Sequence, residues 1–181
     1  MIAQVDEALC RLLAPHLPAG TEIRLDPPKP TWQTEAQVRS VELFLFALQN
    51  ARNTDSPAGG RDAGAGQVGG PATGVTPRAG GLNRRRCILS YLVTARAGLV
   101  RDEHALLDAA LHAVTAADEI PKTFLPAHSN GCLPVEIAIS DADPTSLWTS
   151  LGMPVRAGFV VSVTAGLTAS KPRRRAVKSR A

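Results

Sequence analysis

At the start of the chain, apolar residues recur at helical spacing at Ile2, Val5, Leu9, Leu12 and Leu13, which predicts an amphipathic helix. Asp6 and Glu7 are placed in its opening turn, where negative charge suits the helix dipole, and Pro15 ends it. Glu22 to Asp26 alternates polar and apolar residues as a short strand does, and Pro27-Pro28-Lys29-Pro30 stops it in a rigid turn. From Val41 to Leu48 both parities are apolar past Glu42. That pattern predicts a strand covered on both faces, hence a central one.

The next apolar run alternates. Cys87, Leu89, Tyr91, Val93 and Ala95 share one face, which reads as core; Ile88, Ser90, Leu92, Thr94 and Arg96 share the other, which is mixed. It feeds almost directly into a second helix, with Asp102 as N-cap and Leu107, Ala110, Leu111, Val114 and Ala117 as its buried stripe. Asn130-Gly131 marks a turn, after which Leu133, Val135, Ile137 and Ile139 alternate with Glu136, Ala138 and Ser140 as a half-exposed strand. Asp143-Pro144 then opens a two-turn helix carrying Leu147, Trp148 and Leu151, closed by Gly152. Phe159 to Thr164 is a final covered strand. The order is helix, three strands, helix, strand, helix, strand. It predicts an α/β fold: a single-domain mixed sheet of about five strands with helices packed on one face. Strand order does not follow from the sequence.

Composition changes this picture in two places. From about 53 to 81 the chain is Gly, Ala, Pro and Thr with scarcely a large apolar residue, which is read as a flexible insertion. After residue 170 it carries Lys171, Arg173, Arg174, Arg175, Lys178 and Arg180 with no acid, which is read as a disordered basic tail over 170–181. One domain is therefore expected over 1–169. The net charge of +4 belongs to the tail, because the first 170 residues hold fewer basic than acidic side chains and come to about −2. No run of eighteen apolar residues and no basic-then-apolar leader occurs, so a cytoplasmic protein without a membrane partner is expected. Cys10, Cys87 and Cys132 are widely spaced and read as reduced, small apolar residues.

The sequence offers little chemistry. Gly64-Ala65-Gly66-Gln67-Val68-Gly69 fits the dinucleotide-binding expression but lacks the strand before it and the helix after it that the mechanism needs. His104, Asp108 and His112 line one helix stripe, yet the two histidines would stand about 12 Å apart, too far to share an ion held at about 2 Å. Asp141 and Asp143 form an Asp-x-Asp pair in which Asp143 is already wanted as a cap. No catalytic residue, cofactor or metal site is assigned, and no small-molecule substrate is expected. Arg84-Arg85-Arg86 and Arg173-Arg174-Arg175 could contact phosphate, although no aromatics are interleaved for stacking. Trp32 and Trp148 read first as core, and Trp32 beside its proline corner also as an assembly contact.

Six segments resemble one family in the same order: the opening Met1 to Leu9, the corner from Asp26-Pro27-Pro28 to Trp32, Val41 to Leu48, Tyr91 to Ala95, Asp102 to Leu107, and Leu147-Trp148 to Gly152. The chain resembles the small cap or tail-terminator proteins of extracellular contractile injection systems, phage-tail-like particles of bacteria. The resemblance covers most of residues 1–167 and leaves out the Gly-rich insertion and the basic tail. It implies a tail-terminator-like α/β subunit that forms a hexameric ring on inner tube and sheath at the end far from the baseplate. It implies no catalysis. The implied partners are other copies of the chain and the sheath and inner-tube subunits, in a particle that is assembled in the cytoplasm and can later be released.

Such a subunit must match a growing end with one surface and present a different one outward. Interface candidates from the sequence are Arg24, Trp32, Arg96, Asp102, Glu103, His104 and Glu136, at mixed faces, a helix start and strand edges. The alternative from another class is a nucleic-acid-associated accessory protein working through its arginine clusters.

Overall fold

The computed structural model describes residues 1–33, 38–51, 85–125 and 134–167. Within them the elements are α1 (Ile2–Leu13), β1 (Glu22–Arg24), β2 (Ser40–Ala51), β3 (Arg85–Arg96), α2 (Val100–Thr115), β4 (Glu136–Ser140), α3 (Thr145–Ser150) and β5 (Gly158–Leu167), with short 3-10 turns at Ala14–His16, Pro30–Gln33 and Lys122–Phe124. The expected order of helices and strands is therefore observed. The expected insertion, the Asn130-Gly131 turn, the Gly64 to Gly69 match and the basic tail lie outside the described residues.

The five strands form one mixed sheet in the order β1-β2-β3-β5-β4. β1 runs parallel to β2, while β2 with β3, β3 with β5 and β5 with β4 are antiparallel. β3 and β4 thus point the same way with β5 inserted between them, so α2 spans the gap in a split β-α-β crossover. The central strand is β3, not β2. The reason lies in its partners: β3 bonds β2 and β5 along nearly its whole length, whereas β1 covers only Ser40 to Glu42 of β2. Burial of β2 accordingly fades past Leu43 and ends in an exposed Leu48.

Register assigns the faces. On the first face, Leu89, Tyr91, Val93 and Ala95 of β3 join Val41 and Leu43 of β2, Val161, Val163 and Ala165 of β5 and Ile137 of β4. Against them pack Val5, Ala8, Leu9, Leu12 and Leu13 of α1 and Leu106, Ala110, Ala113 and Val114 of α2. Helices do not cover this face alone, as the sequence suggested. On the second face Leu92 packs with Trp32 from the 3-10 turn, with Trp148 of α3 and with Met153, and Phe44 and Phe46 close around them. Phe44 and Phe46 stand two apart in β2 and so share this face, and the pairing register with β3 shifts by one residue between Leu45 and Ala47. Gly158 is needed where β5 begins, since a Cβ there would stand 2.8 Å from the Val93 carbonyl oxygen.

Three local expectations are corrected. α1 begins at Ile2, so Asp6 and Glu7 fall beyond its first turn, and Ile2 is exposed while Ala8 is buried. α2 starts one turn earlier than Asp102, with Leu99 in the cap position, which leaves Asp102 and Glu103 in the first turn. Its buried stripe runs through Leu106 and Ala113 as well as the expected Ala110 and Val114, with Leu107 and Ala117 only partly buried at its margin and Leu111 exposed, because the helix turns its Leu106 side to the sheet. At α3 the cap position falls on Pro144, one residue after Asp143, yet Asp143 still bonds the helix start: its Oδ1 accepts the Thr145 N–H (2.9 Å) and hydroxyl (2.6 Å), and these bonds pull its carboxyl below the ordinary range. Gly152 follows at φ 65°, in the left-handed conformation that closes helices.

Candidate interaction surface

Trp32 and Arg96, two of the residues singled out from the sequence, meet inside the subunit. They are 5 % and 4 % exposed, so neither presents a contact surface to a partner in this fold. The Arg96 guanidinium lies 4.9 Å from the centre of the Trp32 ring, and its Nη2 donates to the Trp32 carbonyl oxygen at 3.3 Å. Its Nη1 stands 4.0 Å from Oε1 of Glu42, and that oxygen also accepts the Ser40 hydroxyl at 2.8 Å. Strand pairing produces the group: Ser40 is the register partner of Arg96, and Arg24 of β1 that of Glu42. A cation of β3 is thus held under the proline corner, with β2 supplying Ser40 and Glu42 beside it.

Glu42 is the polar residue that the sequence reading passed over. Its signal was visible, as one acid opening an otherwise apolar strand. At 1 % exposure, burial pushes its carboxyl above the ordinary range; the Ser40 hydroxyl, Arg24 and Arg96 oppose that shift, and Asp26 adds to it. The folded state therefore keeps a proton that the unfolded chain has already released. Stability from this group is complete below about pH 4.5 and is lost as pH rises through the folded value. Glu42→Gln should remove that loss, so that between pH 4.5 and neutrality the variant gains stability relative to the parent in urea titrations. A variant that loses ground as pH rises would show instead that Arg96 outweighs desolvation.

The other candidates lie apart from this group. Arg24, on the edge strand, donates from Nε (2.9 Å) and Nη2 (2.6 Å) to Glu22 Oε2 and is partly exposed. Asp102, Glu103 and His104 sit together at the start of α2, where His104 is exposed and Asp102 half-buried. Glu103 instead braces two loops: its Oε1 accepts the Ala97 N–H at 3.3 Å and lies 2.5 Å from Arg156 Nη2. Glu136 is at the opposite end of the sheet, where its Oε1 is 2.5 Å from Arg86 Nη2.

The brace between Glu103 and Arg156 marks one end of the sheet, where β3 stops and β5 begins. Beside it the structure exposes three apolar side chains that sequence reasoning missed: Leu99 at 66 %, Val100 at 65 % and Val155 at 61 %. Leu99 and Val155 lie outside the helices and strands and Val100 opens α2 away from its buried stripe, so no sequence pattern marked them. Apolar side chains held outward beside such a brace are suited to protein contact.

The chemistry elsewhere is plain. His112 Nε2 and Asp108 Oδ1 are 3.5 Å apart on the exposed side of α2, and among the described residues no group of three His, Cys, Asp or Glu side chains is arranged to hold a metal ion. Burial, aided by Asp6, pushes the Cys10 thiol up, which disfavours its reactive form. Of the two arginine clusters, Arg86 is spent within the sheet on Glu136, and Arg84 and Arg173 to Arg175 lie outside the described residues. No described helix is long and apolar enough to cross a membrane.

A family model described as the Pvc16 N-terminal domain matches residues 4–179. No curated protein sequence matches the chain. Among solved structures, the fold is similar to the sheath/tube terminator of an extracellular contractile injection system, PVC, in its extended state, with a TM-score of 0.62 at 18 % identity. It is also similar to the tube-terminating cap of the anti-feeding prophage, with a TM-score of 0.53 at 17 % identity. These alignments cover 100 % and 98 % of this chain but 61 % and 59 % of the other two, so the chain spans about three-fifths of their length. At such identities the likeness is one of fold.

Proposed function

The chain belongs to the family of the Pvc16 N-terminal domain, and from that membership we propose that it is a terminator subunit of a contractile injection system. In this reading residues 1–169 are the terminator domain and 170–181 an appended tail. Copies associate into a ring of six on the inner tube and sheath, at the end distal to the baseplate, and stop their growth. The role is structural, not catalytic, and it is carried out in the cytoplasm where the particle is built. The observation that carries the proposal is the family match over nearly the whole chain, supported by a sheet and helix arrangement like that of two solved terminators.

The physical requirement is asymmetry. Tube and sheath lengthen through head-to-tail contacts that always leave one open end, so a terminator must fit that end and offer nothing equivalent beyond it. The subunit has two unlike sheet ends. One carries Leu99, Val100 and Val155 beside the Glu103–Arg156 brace; the other carries Arg86 and Glu136, paired with each other. The apolar end is the one suited to docking.

Particles purified from the source cell should contain this protein at one tip, visible by electron microscopy, and the isolated protein should form a ring measurable by mass photometry. Deleting its gene should give tubes and sheaths of abnormal or unstable length. A strictly monomeric protein absent from particles of normal length would overturn the proposal.

A further inference from the structure

β4 is the last strand of the sheet, paired with β5 on one side from Glu136 to Ser140. On its outer side the chain leaving α2 covers only the start: the Ile120 N–H donates to the Val135 carbonyl oxygen at 2.8 Å, and the Ile137 N–H to the Asp118 carbonyl oxygen at 3.2 Å. Backbone groups alternate in direction along an antiparallel strand, so the N–H and carbonyl of Ile139 point outward as the N–H of Ile137 does. Among the described residues no main-chain group meets them. An edge is ordinarily blunted by charge, by proline or by a cover. β4 has no proline and, past Glu136, no charge, and its Ile139 side chain is exposed.

Acidic side chains flank the open length. Asp118 and Glu119 stand before it and Asp141 after it, all three exposed and, among the described residues, outside any ion pair. The chain that follows β5 has the opposite charge: residues 168–181 carry Lys171, Arg173, Arg174, Arg175, Lys178 and Arg180 with no acid. It also starts close by. Ile139 is the register partner of Val161, so the open edge lies six residues back from Leu167, where β5 ends. That is ~20 Å along the sheet, whereas residues 168–181 extended at about 3.3 Å each reach ~46 Å. A segment tethered so near its seat acts at an effective concentration on the order of millimolar, ahead of any free partner. We propose that residues 168–181 dock on the open edge of β4 in their own chain, pairing with the Ile139 main chain as an added strand while their arginines and lysines meet Asp118, Glu119 and Asp141. The proposal needs only this chain and stands whether or not the terminator reading holds.

Carbodiimide cross-linking of the full-length protein joins a lysine amine to a carboxylate only where the two touch, and it tests the docking directly. In an equal mixture of isotopically heavy and light chains, Lys171 or Lys178 should be joined to Asp118, Glu119 or Asp141 in peptides that are all heavy or all light. Peptides of mixed isotope would give the edge to another copy's tail, and a lack of these links would leave it without the tail; either result overturns the proposal. Amide hydrogen exchange by NMR supplies a second reading. The Ile139 N–H should exchange slowly in the parent and about tenfold faster when Arg173→Glu, Arg174→Glu and Arg175→Glu are combined, a change equal to ~1.4 kcal/mol. The Leu92 N–H of β3 should keep its rate in both. Adding Asp118→Arg, Glu119→Arg and Asp141→Arg to the reversed tail should restore slow exchange at Ile139, because opposite charges meet again. General destabilisation would instead speed both amides and would not be reversed by the second set of changes. An Ile139 rate that ignores the tail charges, or that the second set does not restore, sinks the docking.

Discussion

Replacing Trp148 with alanine will lower the free energy of unfolding by about 3–5 kcal/mol, the range for truncating a large aromatic in a packed core. Trp148 is completely buried, and with Trp32 it is one of the two largest members of the cluster on the second face of the sheet, which also holds Leu92 and Met153. A short helix of six residues cannot hold itself together, so α3 owes its place to packing, with Trp148 fully buried and Leu147 and Leu151 packed beside it. Its removal leaves a cavity that Trp32, tethered at the end of a proline corner, cannot fill. Trp148→Phe makes a sharper comparison. The indole Nε1 is buried without a hydrogen-bond partner, so phenylalanine removes an unsatisfied donor while keeping most of the packing. That variant should cost less than about 1.5 kcal/mol. Denaturant titrations followed by circular dichroism decide the matter: a loss of under ~1 kcal/mol for Trp148→Ala would mean that the second face contributes little to the fold.

Tyr91→Phe should produce a difference from the parent that is large at neutral pH and vanishes in alkali. The Tyr91 hydroxyl donates to Asp6 Oδ1 at 2.6 Å and ties α1 to the central strand, and a buried bond to a charged acceptor contributes roughly 1.5–3 kcal/mol. Burial first, and the adjoining Asp6 carboxylate second, push the phenol far above its ordinary value of 10.0. Because the folded state holds the proton more tightly than the unfolded chain, stability from this group is present at neutral pH and falls as pH rises past the unfolded value. The fall should approach ~1.4 kcal/mol per pH unit above about pH 10. Phenylalanine cannot ionise, so the variant starts less stable and lacks that slope. Parallel slopes in urea titrations from neutrality into alkali would show that Tyr91 ionises freely in the folded protein.

Much of this architecture is legible in the amino-acid sequence, for a definite reason. Alternation along β3 assigns Cys87, Leu89, Tyr91, Val93 and Ala95 to the core; the last four form it, while Cys87, near the far end of the strand, is only half-buried. The proline at 144, the acid before it and the glycine at 152 bound α3 to within a residue or two. These are local effects, decided by neighbours in the chain. Expectation and structure part where a second element intervenes. β2 is as apolar as a central strand, yet the three residues of β1 cover only its start. Leu111 has the hydropathy of a core residue, but α2 turns Leu106 and Ala113 inward instead. Arg96 reads as surface charge on a mixed face, although Trp32, sixty-four residues earlier, folds over it.

The candidate surface divides in the same way. Sequence marks the start of α2 as a place where charge gathers, but it does not show that Glu103 reaches Arg156, fifty-three residues away, and braces two loops. Nor does it show that Leu99, Val100 and Val155 are left outside that brace. Periodicity and turn chemistry, which act over a few residues, by themselves determined the kinds of element, their order and the absence of any recognisable reaction motif. Strand order, the face each helix covers, the burial of Glu42 and Arg96, and the apolar end of the sheet were decided only in three dimensions. They depend on contacts between residues far apart in the chain, and for those no local pattern carries the information.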